Sequence, residues 1–249
     1  MKKFLVQRMF LLFTLSFLLF GCVVFHGFNT HGIETYSVPR FVSNDFTQLE
    51  KISEISKFRS AAGHDYSDGF ESCRSMKHYY APYGKYRVNN NIEVCSPVDG
   101  VIHSIIKEGH GASEGLNNKQ VRIQSIAYPM FVFVLFHIDL ISPEISNGKK
   151  LQAGELIGHA RMYYPDISDY GYSFDIAVWV SMPSGMRYVS YFDTMADILF
   201  NNYIARGAKS RNDFIISKEK RDADPLSCDE QRFTSNGKLE NWFILNTTK

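Results

Sequence analysis

The sequence predicts a mainly β protein, an antiparallel sheet core carrying an N-terminal export segment and a C-terminal helical extension. Three observations carry this prediction. Val121-Arg122-Ile123-Gln124-Ser125 alternates apolar and polar residues, the period of a half-buried strand. The run 130–136 is apolar throughout and therefore needs cover on both faces. Ile145, Gly148, Leu151, Gly154 and Ile157-Gly158 recur at intervals of three, as in a chain that turns at glycines and inserts one aliphatic side chain per turn into a β core.

The first 21 residues hold Lys2, Lys3 and Arg8, no acid, and then an apolar stretch of 12 residues, 9–20. A basic head before an apolar segment too short to span a bilayer is the pattern of a secretory signal. Its end, Leu19-Phe20-Gly21-Cys22, resembles the lipobox of bacterial lipoproteins, which implies a lipid on Cys22 and contact with the membrane only through that lipid or the signal. Residues 22–56 read as a tether with one short helix over 43–56, where Phe46, Leu49, Ile52 and Ile55 recur at helical spacing.

The β domain is expected over 57–185. Val98-Asp99-Gly100-Val101-Ile102 places a turn dipeptide between apolar residues, and Tyr128-Pro129 marks another break. The segment 109–119, with Gly109, Gly111, Gly115, Asn117 and Asn118, reads as a surface loop on the rim of a groove. Residues 186–249 form the extension. A helix is expected from Met195 to Ala205, with Asp193 or Thr194 as its N-cap and Gly207 as its stop. Ser210-Arg211-Asn212-Asp213 has a loose capping-box pattern. The whole extension is expected to cover a sheet edge or restrict the groove.

Of the four cysteines, Cys95 lies in the strand-like run Ile92-Glu93-Val94-Cys95, where a thiol packs as a small hydrophobe. With Cys22 assigned to the lipid, Cys73 and Cys228 are the expected bridge in an oxidising compartment. The chain has 27 basic against 26 acidic residues, a balance that excludes a broadly electropositive nucleic-acid binder. Removing Lys2, Lys3 and Arg8 with the signal leaves about 24 basic residues against 26, so electrostatic attraction does not explain binding to anionic wall polymers.

The glycine run resembles the lysostaphin-type zinc endopeptidases of bacterial cell walls, in which a strand ending in His precedes a V-x-x-G-x-x-V-x-x-G-x-x-I-G string. Cys95-Ser96-Pro97-Val98-Asp99-Gly100-Val101-Ile102 is similar to the family's A-P-x-D-G-x-V strand and turn, and Lys77-His78-Tyr79-Tyr80-Ala81-Pro82 to its G-I-D-x-A-x-P ligand strand. The resemblance covers about residues 57 to 180 and implies a zinc ion held by two histidines and an aspartate, with an open position for water.

Carried over residue by residue, the resemblance makes His137 the strand-end catalytic histidine. The closing H-x-H motif falls on Ser173 and Asp175, so a serine stands at a catalytic histidine position and Asp175 at a ligand position. Aligning on Pro82 puts His78 at the ligand aspartate and Arg74 at the first ligand histidine. A literal H-x-x-x-D is also present as His64 and Asp68. The expected metal set is His78 and Asp175, with His64 or Asp68 as third ligand and His137 beside them. Two functions follow: a zinc-dependent endopeptidase cutting peptide cross-links of peptidoglycan, or a non-catalytic envelope lipoprotein that binds peptidoglycan or regulates another wall hydrolase such as an amidase. The aromatics Tyr79, Tyr80, Tyr163, Tyr164, Tyr170 and Tyr172 are candidates for a sugar-stacking or peptide groove, or for ordinary strand packing.

Overall fold

The computed structural model describes residues 38–108, 115–162 and 173–247. The expected signal 1–21, Cys22, Gly109, Gly111, Tyr163, Tyr164, Tyr170 and Tyr172 lie outside the described residues. The predicted β class holds. The strands are β1 (Ile52–Ser56), β2 (His78–Pro82), β3 (Glu93–Cys95), β4 (Gly100–Lys107), β5 (Lys119–Ser125), β6 (Phe131–Leu140), β7 (Lys150–Leu151), β8 (Leu156–Ala160), β9 (Phe174–Met182), β10 (Gly185–Val189), β11 (Cys228–Asp229), β12 (Arg232–Phe233) and β13 (Trp242–Ile244). Three helices follow β10: α1 (Tyr191–Thr194), α2 (Asp197–Ala205) and α3 (Lys218–Ala223).

Among the described residues eleven strands join one antiparallel sheet, in the order β13-β1-β2-β9-β6-β5-β4-β7, with β10 on β9 and β8 between β3 and β6. The apolar run of β6 is buried over 131–136, as its composition requires, because β5 and β9 flank it and side chains cover both faces. β5 alternates buried and half-buried residues along its whole length. The glycine run behaves as expected: Gly148 and Gly154 take φ of +84° and +85° at successive turns, while Ile145, Leu151 and Ile157 are buried. Gly158 is needed for another reason, since a Cβ there would lie 2.3 Å from the Asp139 carbonyl oxygen of the neighbouring β6.

Two expectations are corrected. The segment 43–56 is no helix but a 3-10 turn, Leu49–Lys51, followed by β1. A helix of that length is marginal on its own, whereas β1 gains ladder partners on both sides, β2 and β13. The extension carries its expected helices, and β10 and β13 add strands to the sheet. The helix expected from Met195 to Ala205 is α2, which starts two residues later, and a separate short helix, α1, precedes it. The N-cap of α2 is Ala196, not Asp193 or Thr194, and Ser190 caps α1 by accepting from the Phe192 N–H. Gly207 is the stop, at φ +100°. The capping pattern at Ser210 is present on the 3-10 turn Arg211–Phe214, where the Asp213 carboxylate accepts the Ser210 N–H at 3.0 Å.

α1, α2 and the 3-10 turn Arg211–Phe214 pack on one another through aromatic rings. Phe192 stacks on Phe214 at 3.9 Å between centroids, and Tyr203 meets Phe192 edge-on at 5.0 Å. Into this cluster reaches Asp45, whose carboxylate accepts from Tyr203 Oη and from the Phe46 N–H. Burial outweighs those hydrogen bonds and pushes the Asp45 carboxyl up to about 6. A raised carboxyl favours folding while protonated, so this contribution is full below the unfolded value near 3.8 and is lost as pH rises through about 6. Asp45→Asn is therefore expected to gain on the native protein by about 1–3 kcal/mol between pH 4 and pH 7. Paired urea melts across that range measure it, and a pH-independent difference would refute it.

Candidate functional site

The pleat decides which residues of β2 face the groove. Tyr79 pairs with Asp175 across the β2–β9 ladder, so Lys77, Tyr79 and Asp175 share one face and His78 points to the other. On that far face the His78 Nδ1–H donates to the Ser56 carbonyl at 2.8 Å. Its Nε2 accepts from Ser190 Oγ at 2.9 Å, and its ring meets Phe192 at 4.9 Å. Burial holds the imidazole neutral, with its pKa lowered to about 4. The expected ligand His78 is thus a core residue that links the sheet to the capping serine of α1.

Its neighbour Lys77 takes the place facing Asp175. The ammonium Nζ lies 2.6 Å from Asp175 Oδ2, with the lysine side chain 2% and the aspartate side chain 0% exposed. The rings of Phe136, Tyr66 and Tyr79 surround the ammonium at 4.2, 4.6 and 5.0 Å from their centroids. Burial alone would discharge this lysine; the attraction of Asp175, helped by Tyr79, overrides it and raises the Lys77 pKa. The pair is a tethered cation closed in an aromatic cage.

His137 enters the groove by a backbone irregularity. Along β6, Val134 pairs with Ala177, which puts Val132, Val134 and Phe136 on the face of Asp175, in a buried cluster with Phe58, Met76, Ala177 and Tyr188, and an undistorted residue 137 on the other. Between β5 partners Lys119 and Val121 the register shifts, with one extra residue on β6, and His137 takes φ of +59°. This bulge turns the imidazole inward, with Nε2 3.6 Å from Asp175 Oδ1 and Nδ1 3.3 Å from Asn118 Oδ1. Such strain is tolerated where the surroundings over-determine it, and here the His137 carbonyl also accepts from the Arg161 N–H at 2.8 Å.

The remaining expected residues divide. His64 sits on the segment between β1 and β2, its Nδ1–H donating to the Asp65 carbonyl at 2.9 Å. It feels both members of the pair: burial and then Lys77 lower its pKa, while the Asp65 carbonyl and Asp175 oppose them. Asp68 belongs elsewhere. Its carboxylate accepts from the Phe70 and Glu71 N–H groups, from Tyr188 N–H at 3.0 Å and from Arg187 Nε at 3.1 Å, so it fastens this segment to β10. Arg74, at the other ligand position, is bound to Glu71 and Asp222 at 2.7 and 2.9 Å. Ser173 directly precedes β9, two residues from Asp175.

Besides Lys77, two residues near the pair escaped the sequence reading. Tyr66 packs on Phe136 and Tyr188 at 5.5 and 4.9 Å between centroids. Glu108, just beyond β4, has its carboxyl pushed up to about 7 by burial and by the Asp175 charge, against the pull of Lys77 and Arg122. A signal for Lys77 was present: a lone lysine directly before the strand His78-Tyr79-Tyr80-Ala81 needs a carboxylate if it is buried, and Asp175 in Phe174-Asp175-Ile176-Ala177 has the converse need.

These donors do not fit a zinc ion. Among the described residues no three of His, Cys, Asp and Glu converge into a metal-holding group. Of the expected ligands, Asp175 is neutralised by Lys77, His78 faces away, and Asp68 is committed to Arg187. Acid–base chemistry at His137 also lacks its expected partner, because Ser173 cannot replace an imidazole.

No protein-family model and no curated sequence matches the chain. Similar solved structures include a mutant of the catalytic domain of the prophage-encoded M23 protein EnpA from Enterococcus faecalis, with TM-score 0.37 and 16% identity over 62% of this chain and 94% of that one. The complex of SpoIIIAH and SpoIIQ gives TM-score 0.36 and 12% identity over 60% of this chain and 92% of the other. A protein assigned as a glycyl-glycine endopeptidase, LytM, from Ruminococcus gnavus gives TM-score 0.34 and 14% identity over 47% of this chain, which spans only 44% of its length.

Proposed function

We propose that the chain is an exported protein of the bacterial cell envelope that is built on the lysostaphin-type plan and holds peptidoglycan without cutting it. The observation that carries this reading is the Lys77 ammonium, 2.6 Å from Asp175 inside the groove. A hydrolase of this plan needs three protein ligands and one open position on a dication. Here the one retained ligand carboxylate already has a buried counter-charge, and a second positive ion beside it would be repelled as well as desolvated. Export is supported by the basic and apolar start of the chain and by the Cys73–Cys228 bridge, since structural disulfides persist in oxidising compartments. A groove that binds without hydrolysis acts through what it holds, either the wall itself or a wall hydrolase such as an amidase working on it.

The endopeptidase alternative keeps one supporting observation, His137 placed 3.6 Å from Asp175. Two measurements separate the readings. Protein incubated with zinc, desalted and assayed for metal is expected to retain almost none. Purified sacculi are expected to retain the protein and to release no muropeptides, with or without chelator. Chelator-sensitive release would establish the endopeptidase instead.

A further inference from the structure

The Lys77–Asp175 pair is sealed and short, yet poorly aligned as a salt bridge. In the β2–β9 ladder Tyr79 stands opposite Asp175, and Lys77, two residues before Tyr79 on the same face, reaches the carboxylate along the diagonal. Its Nζ is 2.6 Å from Oδ2, with side-chain exposures of 2% and 0%. Among the described residues Asp175 Oδ1 and Oδ2 are nevertheless buried atoms without a hydrogen-bond partner, so the contact has the distance of a hydrogen bond and not its angles. One C–O bond of about 1.2 Å further on, the carboxyl carbon lies within about 4 Å of Nζ, close to the separation of about 3–3.5 Å at which held groups react. Burial is the largest influence on Lys77 and works against its charge, with Asp175 opposing. One proton passed from Nζ to the carboxylate leaves a neutral amine beside a neutral carboxylic acid, inside the rings of Phe136, Tyr66 and Tyr79. That neutral pair is the minor form and the reactive one, because a desolvated amine is a nucleophile.

We propose that Lys77 and Asp175 join in an intramolecular isopeptide bond, a modification that the fold makes on itself and that ties β2 covalently to β9. Lys77 Nζ attacks Asp175 Cγ and forms the C–N bond. The bond from Cγ to the protonated oxygen then breaks, and that hydroxyl leaves as water with the proton given up by the nitrogen. The condensation consumes no oxidant, reductant or co-reactant. His137 is the proton carrier. Asn118 Oδ1 is an acceptor, so His137 Nδ1 donates to it, and Nε2, 3.6 Å from Asp175 Oδ1, is the atom that takes the proton from nitrogen and returns it to the leaving oxygen. Two features favour the amide over its hydrolysis. Fixed proximity stands for an effective concentration of about 10⁵ M or more, and the closed ring cage keeps bulk water from the bond. The reaction needs no wall polymer, and it withdraws Asp175 permanently from the donors of any metal.

The test is mass spectrometry of the full chain, denatured and with the disulfide reduced. The native protein is expected to weigh one water less than its sequence, read against Lys77→Met with the same N-terminus so that any processing cancels. Proteolytic digestion should give one branched peptide that joins the segment of Lys77 to the segment of Asp175, with the linear forms of both depleted. Lys77→Met and Asp175→Ala cannot form that peptide whether or not they fold, so both serve as controls. Unreacted chain collected in urea and refolded should gain the bond with time, and His137→Ala should gain it about 100-fold more slowly. Native protein that keeps its full sequence mass and yields only the two linear peptides after prolonged incubation overturns the bond. Water lost within a linear peptide holding Asp175 alone marks a succinimide and overturns it too. An undiminished rate in His137→Ala overturns the proton carrier and leaves the bond standing. Wall binding is read separately by sacculus retention, so either reading can fail without the other.

Discussion

Lys77→Met is expected to destabilise the fold by about 3–5 kcal/mol, because it leaves Asp175 charged, buried and uncompensated. The loss is large since the other close basic group among the described residues, His137, is 3.6 Å away, beyond hydrogen-bond reach. Asp175→Asn should cost less, as the ammonium keeps the rings of Phe136, Tyr66 and Tyr79, and such contacts are worth up to about 2 kcal/mol when desolvated. The double variant Lys77→Met with Asp175→Asn removes both charges and should be more stable than Lys77→Met alone. Urea melts of the four proteins close the cycle. Additive effects, with the double variant the least stable, would mean that the two groups do not act as a pair and would remove the main support for a groove without metal.

What the sequence showed, and what it hid, follows from the range of the interactions involved. The alternation of β5, the continuous apolar run of β6 and the glycine turns at 148 and 154 are local patterns, and each emerged in the expected place. The pairing of Cys73 with Cys228 was also legible, with Cα atoms 5.8 Å apart, because the other cysteines had better uses. The site was less legible because its residues are chosen by the pleat and not by a motif. Aligning on Pro82 selected His78, yet a step of one residue along a strand exchanges the two faces and hands the groove to Lys77 and Tyr79. His137, expected as the strand-end catalytic histidine, stands 3.6 Å from Asp175. It reaches the groove through an extra residue in β6 and a positive φ, neither of which a single sequence announces. The helix expected over 43–56 failed because β1 found two ladder partners far away in sequence, one of them near the C-terminus.

That long reach of the C-terminal segment has a measurable consequence for the disulfide. Cys73 and Cys228 are 155 residues apart, and opening so long a loop is expected to cost about 2–5 kcal/mol through the entropy regained by the unfolded chain. At about 2–4 °C per kcal/mol for a domain of this size, Cys73→Ser with Cys228→Ser should melt some 5–15 °C lower. The groove itself should not open. The segment carrying His64 and Tyr66 keeps other ties to the C-terminal region: Arg221 Nε donates to the Arg59 carbonyl at 2.8 Å, the Asp65 N–H to the Gln231 carbonyl at 2.7 Å, and the Ala61 N–H to Asn241 Oδ1 at 2.8 Å. Its hold on β10 through Asp68 and Arg187 is independent of the bridge. Near-UV circular dichroism of the serine variant below its melting point should therefore match the native spectrum, with Tyr66 still against Tyr188 and Phe136. An unchanged melting temperature would show that the bridge does not restrict the unfolded chain as its span requires. A lost aromatic signal in a still folded protein would show that the bridge, and not the ion pairs, holds Tyr66 over the Lys77–Asp175 pair.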